Sequence, residues 1–348
     1  MTVMYSAAHF FVDLACAFLV LRFAYNGDPY IILMYNFCAF ALQMPIGILL
    51  DKFGGGHRAA AAGCMLTAAG YLMVMLPFGG AEMLAAVTAG IGNALFHSGG
   101  GVYILDEYDN SGALGVFVSP GAIGLFLGTL WSSQESFPAV MPFAAMIICG
   151  AVIWAAPYAL KLNNVRGAAA ENPLGFSLSS AEKAAAVMFV CVVVIRSFGG
   201  FTVPLSWKTT TAASAAAVVA ATSGKAFGGF LSDKLGREKA SLLTIISAAL
   251  LYLVSDNIIC GIAAVLLFNM SMPITLRAAA DIFKGGRGFS FGLLTFALFI
   301  GFIPVYVDGS LKISLMAMCV CCLLSAVLLT AGFRLCGRGA EKNDISAS

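Results

Sequence analysis

A histidine and an aspartate stand four residues apart, His9 and Asp13, inside the first long apolar run of the chain. Residues at i and i+4 stack on one helix face, so an imidazole and a carboxylate would lie side by side there. Such a pair, set in a dry cavity, is a candidate site for taking up and releasing a proton. Arg196 lies at the middle of a later apolar run, and its planar fork suits a carboxylate or phosphate. Lys225 sits in the small, polar stretch TTTAASAAAVVAATSGKAFGG. It either lines a cavity or snorkels to the nearby membrane edge. Asn93, His97, Asn269 and Gln43 are further polar candidates for a pocket within apolar segments. His9, Asp13 and His97 are all metal-ligand types, but no clustered ligand pattern joins them, so no metal is expected.

The elements carrying these groups are membrane spans. Apolar residues make up 60% of the 348 and charged residues 10%, too few to cover the surface of a soluble protein. Apolar windows separated by charges and Gly/Pro breaks number twelve, at 4–24, 30–50, 58–77, 81–103, 112–132, 138–160, 184–205, 209–231, 240–255, 257–277, 288–307 and 311–333. The ninth and tenth meet near Asp256 and could form a single hairpin. An ionisable group in such a segment costs several kcal/mol unless it faces a cavity or a partner, so each is a functional candidate. The net charge of +2 offers no surface for nucleic acid. The ten cysteines fall mostly in apolar runs without paired CxxC spacing, and read as small buried residues. The first run carries His9 and Asp13 and lacks a basic start, which argues against a cleaved signal peptide.

Basic residues separate by side. Lys52, Arg58, Lys161, Arg166, Lys183, Lys234, Arg237, Lys239, Arg277, Lys284, Arg287, Arg334, Arg338 and Lys342 fall on one side, against Arg22, Lys208 and Lys312 on the other. The positive-inside rule then puts both termini in the cytoplasm. The polar stretch 161–183 divides the chain into halves. The expected organisation is a six-helix bundle over 1–160, a cytoplasmic linker over 161–183, a second bundle over 184–334 and a cytoplasmic tail over 335–348. Outside loops are too short for an ectodomain, so recognition must occur within the membrane.

One string occurs twice. GILLDKFGGGHR runs from Gly47 to Arg58, and GFLSDKLGREK from Gly229 to Lys239, with Asp51 and Asp233 182 residues apart. Both fit G-x-x-x-D-K-x-G followed by basic residues, through Lys52, Gly54 and Arg58 in one copy and Lys234, Gly236 and Arg237 in the other. The string resembles the signature loop of the major facilitator superfamily, and the likeness extends over all twelve spans. The first copy departs in having Gly55 and Gly56 where a basic residue is usual. The resemblance implies an all-α membrane protein with two pseudo-symmetric six-helix bundles, working by alternating access, and the two aspartates latching each half to the other. It also implies a monomer, and the compact loops suit a bacterial inner membrane. Sliding the repeat by the same interval brings Arg196 one residue from the counterpart of Asp13, so the two are expected to flank a central cavity. Lys225 aligns with Gln43.

Two shorter strings point within that superfamily. GVFVSPGAIG, Gly115 to Gly124, resembles the span-five motif of drug/proton antiporters, with Ser119 and Ile123 replacing glycines. Pro120 should kink that helix. AAHFFVDLACAF together with GIGNALFHSGG resembles the fosmidomycin-resistance exporters, with Ser98 where proline is usual. The implied activity is proton-coupled efflux of a small anionic or drug-like solute; uptake of an organic anion is the alternative. No Walker-type loop and no catalytic cluster is found, so energy is expected from a proton gradient, with no cofactor, and no enzyme activity is expected.

Overall fold

The computed structural model describes residues 1–160 and 175–347, with the side chains beyond 337 undescribed. Most of the expected linker, Lys161 and Arg166 included, and the side chains of Arg338 and Lys342 lie outside what is described. Among the described residues the chain folds into twelve helical rods and no strand. These are α1 Thr2–Ala24, α2 Pro29–Phe53, α3 Gly56–Met73, α4 Ala81–Glu107, α5 Ser111–Ser132, α6 Val140–Ala159, α7 Ser180–Thr202, α8 Thr211–Leu235, α9 Arg237–Leu253, α10 Ile258–Ile282, α11 Arg287–Val307 and α12 Leu315–Ala347. Eight of them are long and apolar enough to cross a membrane. The other four, α3, α4, α8 and α9, are shorter or diluted by alanine, glycine and serine, which serve packing rather than lipid contact. α9 and α10 are separate helices, divided at Asn257, whose side chain caps α10 by accepting from Ile259 and Cys260 N–H groups.

Helix starts follow the local sequence. Asp28 caps α2 ahead of Pro29, and Thr210 caps α8. Ser179 and Glu182 form a reciprocal capping box on α7. In both copies of the repeated string the last glycine of D-K-x-G ends a helix with positive φ, 69° at Gly54 and 83° at Gly236. Only glycine adopts this without strain, which accounts for its place in each copy. α5 is interrupted between Val118 and Gly121, around Ser119 and Pro120, as proline requires.

Two compact units emerge. The first comprises Met1–Asp109, Val116–Pro173 and Gly285–Phe296; the second comprises Asn110–Gly115, Leu174–Lys284 and Ala297–Ser348. The first turns of α5 and α11 therefore pack with the opposite sequence half. Within the first unit α3 and α4 meet along a seam of glycines. A Cβ on Gly63 would lie 2.5 Å from the carbonyl oxygen of Gly92, and one on Gly99 2.3 Å from that of Gly56. Backbone touches backbone there, so neither helix can slide past the other without a clash. In the second unit α8 meets α10 in the same way, with Gly224 against Leu266 and Gly228 against Met270.

Candidate functional site: a histidine–aspartate cluster and two helix caps

α1 and α4 bring three ligand-type side chains together in the first unit. His9 Nε2 lies 3.2 Å from Asp13 Oδ2, and His97 Nε2 lies 3.6 Å from Asp13 Oδ1. The two imidazole Nε2 atoms are 2.8 Å apart, with the rings perpendicular. His9 comes from the helix face predicted for it, one turn from Asp13. His97 and Asn93 occupy the corresponding i, i+4 positions on α4, and the Asn93 amide donates to Asp13 Oδ1 at 3.1 Å. His97 and Asn93 were expected among pocket donors; the fold assigns both to the Asp13 cluster.

The second nitrogen of each ring fixes the tautomer. His9 Nδ1 is 2.7 Å from the Phe117 carbonyl oxygen, and His97 Nδ1 is 2.9 Å from that of Asn93. A carbonyl oxygen only accepts, so each Nδ1 carries the hydrogen. In the neutral rings the two Nε2 atoms would then meet as acceptors across 2.8 Å, next to a carboxylate. A proton on one ring, or a metal ion between them, would turn this contact into an attraction. Gly121, directly after the proline break in α5, closes over it: a Cβ there would lie 2.3 Å from both His9 Nε2 and Asp13 Oδ2.

The other polar candidates lie apart from this cluster. Gln43 is buried, its amide nitrogen donating to the Ala39 carbonyl and its Oε1 without a partner among the described residues. Arg196 is buried in the second unit, 9% exposed, with its guanidinium carbon 5.5 Å from the centre of the Phe268 ring. Among the described residues its Nε has no hydrogen-bond partner and no ion pair reaches it. Asn269 donates to the Val265 carbonyl and packs on Gly224, beside Lys225. Arg196 and Lys225, expected to share one cavity, both belong to the second unit.

The repeated string supplies a second construction. Asp51, 6% exposed at the end of α2, accepts from the backbone N–H groups of Gly288 and Phe289 at 2.7 and 2.8 Å. Asp233, at the end of α8, accepts from those of Ser111 and Gly112, both at 2.8 Å. Each carboxylate thus caps a helix belonging to the other sequence half, where the orphan N–H groups and the positive end of the dipole favour an anion. The glycines of the string permit the approach: a Cβ on Gly47 would lie 2.1 Å from the Gly288 oxygen, and one on Gly229 2.3 Å from that of Ser111. Lys52, Arg58 and Lys234 are exposed, whereas Arg237 binds Asp281 at 2.5 Å alongside Arg277 at 2.8 Å. Arg287, read in the sequence only as a basic loop residue, binds Asp106 and the Leu105 carbonyl at the end of α4. It is the residue just before the two N–H groups that Asp51 receives, a position only the fold reveals.

No protein-family model matches the chain, and no curated protein does. Solved structures do. The Escherichia coli fucose:proton symporter FucP covers 96% of this chain and 97% of its own, with a TM-score of 0.66 at 12% identity. A second structure of FucP is described as a major facilitator superfamily transporter. The fold is that of the major facilitator superfamily. A bacterial homologue of the iron transporter ferroportin matches with a TM-score of 0.62 at 11% identity, over 98% of this chain and 99% of that one. The human organic anion transporter MFSD10 gives 0.62 at 13%, over 94% and 99%. At these identities the likeness concerns architecture.

Proposed function

We propose that the chain is a secondary active transporter of the major facilitator superfamily, moving a small anionic or drug-like solute outward by alternating access and energised by a cation gradient. The proton gradient is the one expected from the sequence. The observation that carries the reading is the His9–Asp13–His97 cluster: three side chains from two helices, His9 buried and Asp13 and His97 half-buried, whose ring nitrogens and carboxylate converge on a space suited to a cation. A permanently resident charge would need no mobile site, whereas a transporter needs one that fills and empties. Support also comes from the fold, from the paired helix caps that a rocking mechanism would make and break, and from the buried cation Arg196, which suits an anionic solute. The sequence likeness to the fosmidomycin-resistance exporters favours outward movement. Proteoliposomes with imposed ion gradients test the reading. Asp13→Asn should abolish gradient-driven accumulation while solute exchange persists. Accumulation against a gradient by that variant would place coupling elsewhere.

A further inference from the structure

The cluster can be read for which cation it fits, an inference that rests on its being a cation site. We propose that His9, Asp13 and His97 form a binding site for a divalent first-row transition-metal ion. Four features of the geometry support this.

The donor set is two imidazole nitrogens and one carboxylate, the combination that zinc, cobalt and iron(II) favour. The two Nε2 atoms are 2.8 Å apart, His9 Nε2 lies 3.2 Å from Asp13 Oδ2 and His97 Nε2 3.6 Å from Asp13 Oδ1. With one oxygen per carboxylate, the three ligand atoms lie within 4.8 Å of one another. Tetrahedral ligands at about 2.0–2.2 Å from a metal lie roughly 3.2–3.6 Å from one another, so the imidazoles must part by a few tenths of an ångström and the carboxylate must turn one oxygen toward both or bind through both. Both rings donate Nδ1–H to backbone carbonyls, the outer-shell arrangement that presents Nε2 to a metal. Asn93 orients the carboxylate in the same manner. Folding thus supplies the ligand pattern that spacing in the sequence did not show.

Three protein ligands leave at least one coordination position open, as in sites that exchange ligands rather than closed structural sites. Gly121 bounds the space on the α5 side, where a methyl group would displace His9 and Asp13. A proton and a metal ion are alternatives at one site of this shape.

Co2+ titration of the purified, detergent-solubilised full chain tests the proposal, because four-coordinate nitrogen/oxygen cobalt has a visible absorption of its own. One Co2+ per chain, displaced by Zn2+, is expected. Asn93→Ala, which removes an outer-shell partner, should weaken binding by about 10–100-fold. Loss of a ligand in His9→Gln or His97→Gln should weaken it further, and Gly121→Ala should reduce it without removing any ligand. His97→Cys should keep the ion and add a sulfur-to-cobalt charge-transfer band, a signature that a purely structural histidine would not produce. Should the glutamine variants fail to fold, that band and Zn2+-dependent thermal stabilisation of the unmodified chain decide the matter. Absence of saturable Co2+ binding, or equal binding by the His9→Gln/His97→Gln pair, would overturn the proposal. Solute accumulation in chelator-treated proteoliposomes separates the two readings. Transport without Co2+ binding removes the metal site alone, and Co2+ binding without any gradient-driven transport removes the transporter reading alone.

Discussion

Replacing Asp233 with asparagine tests the helix cap at the start of α5 with the smallest change of shape. Asp233 receives two backbone N–H groups, one on each carboxylate oxygen, both at 2.8 Å. Hydrogen bonds to a charged group contribute about 1.5–3 kcal/mol each, and a neutral one about 0.5–1.5. Asparagine keeps one acceptor and turns an NH2 group toward the other N–H, and it also loses the attraction to the helix dipole, about 0.3–1 kcal/mol. The residue is exposed, so water rehydrates the abandoned N–H and reduces the loss. The net cost to this contact is about 1–3 kcal/mol, which is a factor of roughly 5–150 in the open population. Ser111 is 1% exposed, and Ser111→Cys provides a reporter of the opening. Maleimide labelling of that cysteine in purified protein should accelerate at least five-fold in the Asp233→Asn background, with the monodisperse elution profile unchanged. Equal labelling rates in two well-folded proteins would refute the cap as an energetic latch.

Gly47→Ala should fail to accommodate its methyl group, because the atoms it meets are the Gly288 carbonyl carbon and oxygen at 2.3 and 2.1 Å. Overpacking of this kind costs about 1–3 kcal/mol, to be read as a lower unfolding temperature in detergent and loss of the Asp51 cap. Arg196→Lys keeps the charge but not the planar fork, and should weaken an anionic solute by roughly 1–3 kcal/mol. Arg196→Met should abolish that binding while leaving thermal stability equal or higher, since a buried charge with no ion-pair partner among the described residues is costly; equilibrium binding and unfolding curves check both, and a permanent cation as best ligand would contradict them. Ser179→Ala removes the capping box of α7 and should destabilise the chain by about 1 kcal/mol, measured in the same unfolding assay.

The twelve rods were legible because hydropathy and helix length are local properties, and the repeated string was legible because the same turn is built twice. Gly54 and Gly236 show this well: each occupies a position that only glycine fills without strain. The His9–Asp13 pair followed from helical periodicity alone. His97 did not join it, because nothing in a sequence separation of 88 residues tells which faces of α1 and α4 meet. Repeat arithmetic placed Arg196 one residue from the counterpart of Asp13; within its own unit the fold puts its guanidinium carbon 5.5 Å from the centre of the Phe268 ring, a neighbour that no spacing in the sequence pointed to. Arg287 was read as a topological charge because its partners, Asp106 and the end of α4, are about 180 residues away.

On the proposal that the cluster holds a cation, the glycine seam between α3 and α4 limits how the cluster can respond to it. A contact made of side chains can be rebuilt by switching rotamers; one made of backbone against backbone has no rotamers to switch. α4, which carries Asn93 and His97, is held in register against α3 at Gly56–Gly99 and Gly63–Gly92. When the cation leaves, the crowded ring nitrogens cannot be relieved by α4 slipping along α3. Relief must come from rotation of the imidazoles about their own bonds, which breaks the Nδ1 bonds to Phe117 and Asn93. Those rotations occur on a timescale far shorter than helix register shifts. On that proposal, emptying and filling of the cluster would be a side-chain event, with α3 and α4 as a stationary frame beneath it.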